Sequence, residues 1–198
     1  MTKWDKFFDE KIREIAKEKI IRDIGGGVAF KKGLAGYEDI FKGKDYKILD
    51  YNPKYHPDIL GDIHNLPFED ESVDAIICKQ VLQCALNPNK ACEEIYRVLK
   101  KGGKCYVEVP FLYCFWCNGT CEDYYRFTEK GLRYLFRKFS SIEICPIRGH
   151  LETIANLFPY QNKFPVNVFV RLARLMDTIL EKYQSKKQVS GFRALVIK

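Results

Sequence analysis

The sequence predicts an α/β protein: a largely parallel sheet with helices on both faces. Three observations carry this. Short β-branched apolar runs alternate with amphipathic segments along all 198 residues, which is the rhythm of βαβ units. Gly, Asp and Asn punctuate the ends of the runs. No repeat, low-complexity tract or Pro/Gly/Ser-rich linker divides the chain, so residues 1–198 read as one domain; 46% hydrophobic and 14% aromatic content supplies its core.

The first element is a leading amphipathic helix within residues 1–19, where Trp4, Phe7, Phe8, Ile12, Ile15 and Ala16 recur at helical spacing. Ile20 to Ile24 follows as a strand closed by Gly25, Gly26 and Gly27. A helical stretch near 34–43 precedes strand Tyr46–Asp50, and a short strand lies near 58–61. Val73–Cys78 is a buried strand. Pro88–Leu99 reads as a helix with Pro near its start and Lys100-Lys101-Gly102-Gly103 as its stop. Lys104–Val109 is the next strand, and Pro110 opens an aromatic, Cys-rich loop. Thr128 caps a helix to Lys138. Strand Ser141–Ile147, a helix over 166–183 and strand Gly191–Ile197 complete the chain, the last two strands forming a sheet edge. In the 166–183 helix, Val168, Leu172, Leu175, Ile179 and Tyr183 make one stripe, expected to pack on its own sheet or on a second subunit as a homodimer; a membrane-surface helix is the alternative.

Charge is unevenly placed. Residues 1–99 carry a net −2 and residues 100–198 a net +9. A basic half suits an anionic partner or a Lys-rich solvated surface, and 23 of the 33 basic residues being Lys favours the surface. Eight Cys among 198 residues, several inside apolar runs, fit a reducing compartment rather than a disulfide scaffold. The start carries no signal core, and no apolar run approaches the ~20 residues of a membrane span, so a cytoplasmic protein without a transmembrane segment is expected.

The chemistry concentrates at strand ends. In Asp23-Ile24-Gly25-Gly26-Gly27 the glycines allow a sharp turn and close approach to a ligand, with the next helix expected to aim its N-terminus there. A dinucleotide fingerprint would place a third Gly where Phe30 stands, which disfavours a dehydrogenase. Asp50 ends the second strand, where a carboxylate can accept ribose hydroxyls, and Asp62 precedes the apolar Leu66-Pro67-Phe68. Three acidic strand ends beside a glycine turn make a nucleoside pocket.

With Leu49-Asp50, Gly61-Asp62-Ile63-His64-Asn65-Leu66-Pro67-Phe68, Glu69-Asp70-Glu71-Ser72-Val73-Asp74 and Arg97-Val98-Leu99-Lys100-Lys101-Gly102-Gly103, the chain from Ile20 to Phe139 resembles the class I S-adenosylmethionine-dependent methyltransferases, type 11 group. The resemblance implies a Rossmann-like, doubly wound, seven-stranded sheet with its last strand antiparallel. It implies S-adenosylmethionine as cofactor: Gly25, Gly26 and Gly27 under the methionine, Asp23 near its amino group, Asp50 at the ribose, Asp62 and Ile63 at the adenine, Lys79 and Gln80 near the sulfonium, and Tyr51 among the cofactor-binding residues. The segment Asp123 to Gly131 resembles a subgroup found with cell-surface glycan and secondary-metabolite genes. Where related chains read Glu-His, this one reads Gln83-Cys84.

The acceptor side is expected at 111–126 and 148–190. Asp123, Tyr125, Arg126 and His150 are its candidate catalytic residues; alternatively Asp123 and Arg126 pair to hold the loop. The +9 half suggests a small anionic acceptor with Arg126 as clamp. Cys114, Cys117 and Cys121 lack a nearby fourth ligand, so no metal is expected. The reading is methyl transfer to an oxygen or nitrogen, against a noncatalytic cofactor-binding or nucleic-acid-binding module.

Overall fold

Seven strands form one sheet in the order β3-β2-β1-β4-β5-β7-β6 in the computed structural model, which describes residues 2–30, 33–115, 122–158, 163–180 and 188–198. They are β1 (Ile20–Ile24), β2 (Asp45–Asp50), β3 (Ile59–Leu60), β4 (Val73–Lys79), β5 (Leu99–Pro110), β6 (Ser141–Ile147) and β7 (Gly191–Ile197). The first five run parallel, and β7 is antiparallel to both β5 and β6, so β6 points the same way as the parallel set.

Alternation along the strands sorts side chains onto two faces. Ile21, Ala75, Ile77, Tyr106 and Leu195 meet α1 (Lys3–Ile15) and α2 (Glu38–Phe41). Ile76, Cys78, Cys105, Val107, Ala194 and Val196 meet α3 (Pro88–Val98) and α4 (Glu129–Leu135). Helix α1 begins at Thr2, whose hydroxyl accepts from the Asp5 amide, and it buries Trp4, Phe7, Phe8, Ile12 and Ile15. Each such side chain contributes about 1.5–3 kcal/mol of transfer free energy before ordering costs. Thr128 caps α4 through the Gly131 amide at 3.0 Å.

Four expectations need correction. The helix after the glycine turn is one turn long, beginning only at Glu38; Gly27, Gly33 and Gly36 all hold positive φ, which an α-helix does not accommodate. No helix N-terminus therefore abuts the glycines. Residues 100–103 are not only a helix stop: β5 starts at Leu99, paired with Val73, and the register shifts before Lys104 pairs with Ala75. A further helix, α5 (His150–Ala155), precedes α6 (Val166–Ile179). Finally, the α6 stripe does not pack on the sheet. Val168, Leu172, Leu175 and Ile179 are exposed, Tyr183 lies outside the described residues, and the helix buries Ala173 and Asp177 instead.

Candidate functional site

The carboxyl ends of β1, β2, β3 and β4 border a cleft of about 370 Å³ lined by Gly25, Asp50, Tyr51, Gly61, Asp62, Ile63 and His64 on one side. Val81, Cys84, Ala85 and Leu86 follow β4, and Glu122 and Tyr124 come from the loop after β5.

Its floor is the glycine turn. The Gly25 amide donates to Leu49 O at 2.6 Å, and φ is +66°. A Cβ there would lie 2.5 Å from Val81 Cγ2, and one at Gly26 2.7 Å from Asp23 Oδ2. Asp50 closes the turn: Oδ2 accepts from the Gly27 amide and Oδ1 from the Asn52 amide, both at 3.0 Å. Each oxygen keeps a lone pair for a ligand donor. Asp62 Oδ1 accepts from the His64 amide at 2.9 Å and from His64 Nδ1 at 2.6 Å. The Asn87 amide donates to His64 Nε2 at 3.2 Å, which places the imidazole hydrogen on Nδ1.

Other expected residues sit elsewhere. Asp23 is buried beneath the turn, with Oδ2 accepting from Tyr46 OH at 2.7 Å, and it does not line the cleft. Burial and this carboxylate push the Tyr46 hydroxyl pKa up. Phe30 stacks on Tyr46, ring centroids 5.2 Å apart, so an aromatic fills the place of a third fingerprint glycine. Lys79 and Gln80 turn away from the cleft to Glu108: Lys79 Nζ lies 3.2 Å from Oε1, Gln80 Nε2 donates to it, and Arg193 Nε donates to Oε2 at 2.8 Å. Burial pushes this carboxyl up, but Lys79 and Arg193 overcome it and hold the pKa at about 2. The cluster locks the ends of β4, β5 and β7 together.

The acceptor-side candidates also make contacts of their own. Arg126 makes a bidentate pair with the buried Asp123 carboxylate at 2.5 and 2.6 Å and donates to the carbonyls of Tyr113, Cys114 and Tyr125. It pins the loop and has little left for an anionic acceptor. Tyr125 OH donates to Leu86 O at 2.9 Å. His150 stands at the start of α5, outside the cleft lining, its buried Nδ1 without a partner among the described residues. Cys114 is exposed; Cys117 and Cys121 lie outside the described residues.

The residues that do face the cleft from this loop are Glu122 and Tyr124. Segment 122–127 has no regular secondary structure, and the amides of Tyr124 and Tyr125 both donate to Gln83 O, which holds it beside the segment that follows β4. The sequence reading named Asp123, Tyr125 and Arg126 from this loop, none of which lines the cleft. Burial of Asp123 against Arg126, three residues on, was the available signal.

Comparison with known proteins gives a consistent picture. The Methyltransferase domain family of type 11 matches residues 43–107. The biotin biosynthesis bifunctional protein BioHC of Cellvibrio japonicus is 35% identical over 92 residues, covering 43% of this chain and 18% of that protein. The chloroplastic 2-methyl-6-phytyl-1,4-hydroquinone methyltransferase of Arabidopsis thaliana is 28% identical over 125 residues, covering 57% of this chain and 36% of that protein. The chain thus spans well under half the length of either. An Archaeoglobus fulgidus SAM-dependent methyltransferase shares the fold at TM-score 0.63 and 14% identity, covering 97% of this chain and 91% of its own.

Proposed function

We propose that the cleft binds S-adenosylmethionine and that the chain's activity is methyl transfer to an oxygen or nitrogen of a small acceptor, a reading supported by the match of residues 43–107 to the type 11 methyltransferase domain family. One observation carries the reading: the charged side chains lining the cleft are the carboxylates Asp50, Asp62 and Glu122, with no Lys or Arg among the described lining residues. An ammonium, a sulfonium and ribose hydroxyls present positive charge and donors to such a lining, whereas a dinucleotide pyrophosphate would meet like charge.

The residues fit this cofactor. Asp50, its carboxylate pre-oriented by the Gly27 and Asn52 amides, would accept from the ribose. Asp62 and the apolar Ile63 would hold the base, and the turn at Gly25 gives the methionine room that a side chain would fill. When bound, the cofactor supplies an electrophilic methyl group on a sulfonium. The protein's part is orientation and removal of the acceptor's proton. Glu122, beside Tyr124 at the cleft mouth, is the group we assign to take that proton. A neutral or cationic acceptor suits this carboxylate better than the anionic one expected from the charge split.

The test is transfer of a radiolabelled methyl group to a panel of small amines, phenols and carboxylic acids. Glu122→Gln should lower kcat about 10²-fold or more while leaving cofactor affinity unchanged. Cofactor binding with no turnover on any acceptor would favour the noncatalytic reading.

A further inference from the structure

Residues 148–190 form an excursion between β6 and β7 that leaves the sheet at the carboxyl end of β6, the same edge that carries the cleft. On α6 the side chains of Val168, Phe169, Leu172, Leu175, Met176 and Ile179 are between 42% and 71% exposed. Spacings of four, three and four residues put Val168, Leu172, Leu175 and Ile179 on one line. Phe164, 82% exposed, extends the face beyond the start of the helix.

The exposed charges of the excursion itself have one sign among the described residues, while Arg174 of α6 is paired with the part-exposed Asp5 of α1. The acidic residues among described positions 148–158, 163–180 and 188–190 are Glu152 and Asp177, and both are buried. Asp177 accepts from the Leu151 and Glu152 amides at the start of α5, and Glu152 faces Arg148 at 3.3 Å. The exposed charged residues there are the cations Lys163 and Arg171. The sequence beyond α6 adds Lys182, Lys186 and Lys187 against Glu181.

We propose that this face docks on an anionic lipid bilayer, with α6 lying in the interface, its apolar line in the acyl boundary and Lys163 and Arg171 at the headgroups. An apolar strip edged by exposed cations, with no exposed carboxylate among the excursion's described residues, is complementary to that surface. A two-fold contact between copies would instead bring like-charged residues of the two excursions near one another. No helix among the described residues is long and apolar enough to cross a membrane, so the helix lies on the bilayer rather than through it. The docking stands independently of methyl transfer. Joined to the proposed methyl transfer, docking through an excursion that leaves the sheet at its carboxyl end would suit an amphiphilic acceptor.

Co-sedimentation of the full chain with vesicles tests this. The protein should sediment with vesicles of phosphatidylcholine and phosphatidylglycerol and far less with phosphatidylcholine alone. Leu172→Asp and Ile179→Asp, at exposed positions and with circular dichroism unchanged, should each weaken binding about tenfold or more. Arg171→Glu should weaken it most at low salt. Three outcomes overturn the proposal: no sedimentation with the anionic vesicles, sedimentation by Leu172→Asp equal to wild type, or a solution dimer that Leu172→Asp splits in a protein indifferent to vesicles.

Discussion

Replacing Gly25 by Ala probes the turn under the cleft with two separable effects. At φ +66° an alanine carries left-handed strain of about 1–2 kcal/mol. Its Cβ would also lie 2.5 Å from Val81 Cγ2, and Val81 is β-branched and stiff, so the overlap adds about 1–3 kcal/mol. Gly25→Ala should then destabilise by about 2–5 kcal/mol, several degrees or more of Tm for a chain of this size. Val81→Ala alone should cost about 1 kcal/mol, since Val81 is only partly buried. The double variant should recover the overlap but not the strain, giving a favourable coupling of about 1–3 kcal/mol in a double-mutant cycle measured by urea unfolding. Additive costs would refute the overlap of a Cβ at position 25 with Val81. Cofactor-product affinity should follow the same cycle, because both residues line the cleft.

Acid should act through Glu108. Its folded pKa, about 2, lies below the ordinary 4.5, so its stabilisation is present above pH 4.5 and disappears as pH falls from 4.5 to 2; the amount is on the order of 3 kcal/mol. Unfolding free energy measured across that window should show the loss, and Glu108→Gln should flatten the dependence while lowering stability at neutral pH by leaving Lys79 and Arg193 without their carboxylate. Arg126→Ala should cost about 2 kcal/mol, read as lower stability and faster proteolysis of the loop after β5, since it leaves the buried Asp123 carboxylate without its guanidinium. If instead it alters only the acceptor KM, Arg126 is a substrate clamp after all.

The sheet was legible because its strands are apolar runs closed by Gly, Asp or Asn, a local signal that tertiary contacts do not override. Asp50, Asp62 and Gly25 were legible for the same reason: strand ends in a parallel sheet point at one edge. Lys79 and Gln80 were misplaced because Glu108, which captures them, lies on another strand, and the pairing of β4 with β5 is nonlocal. Glu122 and Tyr124 were not singled out because the loop after β5 has no regular period from which a sequence assigns sides, and the Asp123–Arg126 pair was the one local cue. For α6 the hydrophobic line was visible, but what it meets is set by the α5–α6 excursion, not by its own periodicity.

Calorimetric titration of the full chain with S-adenosylhomocysteine, for wild type and Asp50→Ala, tests the central claim most directly. The account predicts saturable binding at one site per chain, weakened by about 1.5–3 kcal/mol when the Asp50 carboxylate is removed, the range for hydrogen bonds to a charged group. Absence of binding by a folded wild-type protein, or binding that Asp50→Ala leaves unchanged, would contradict it.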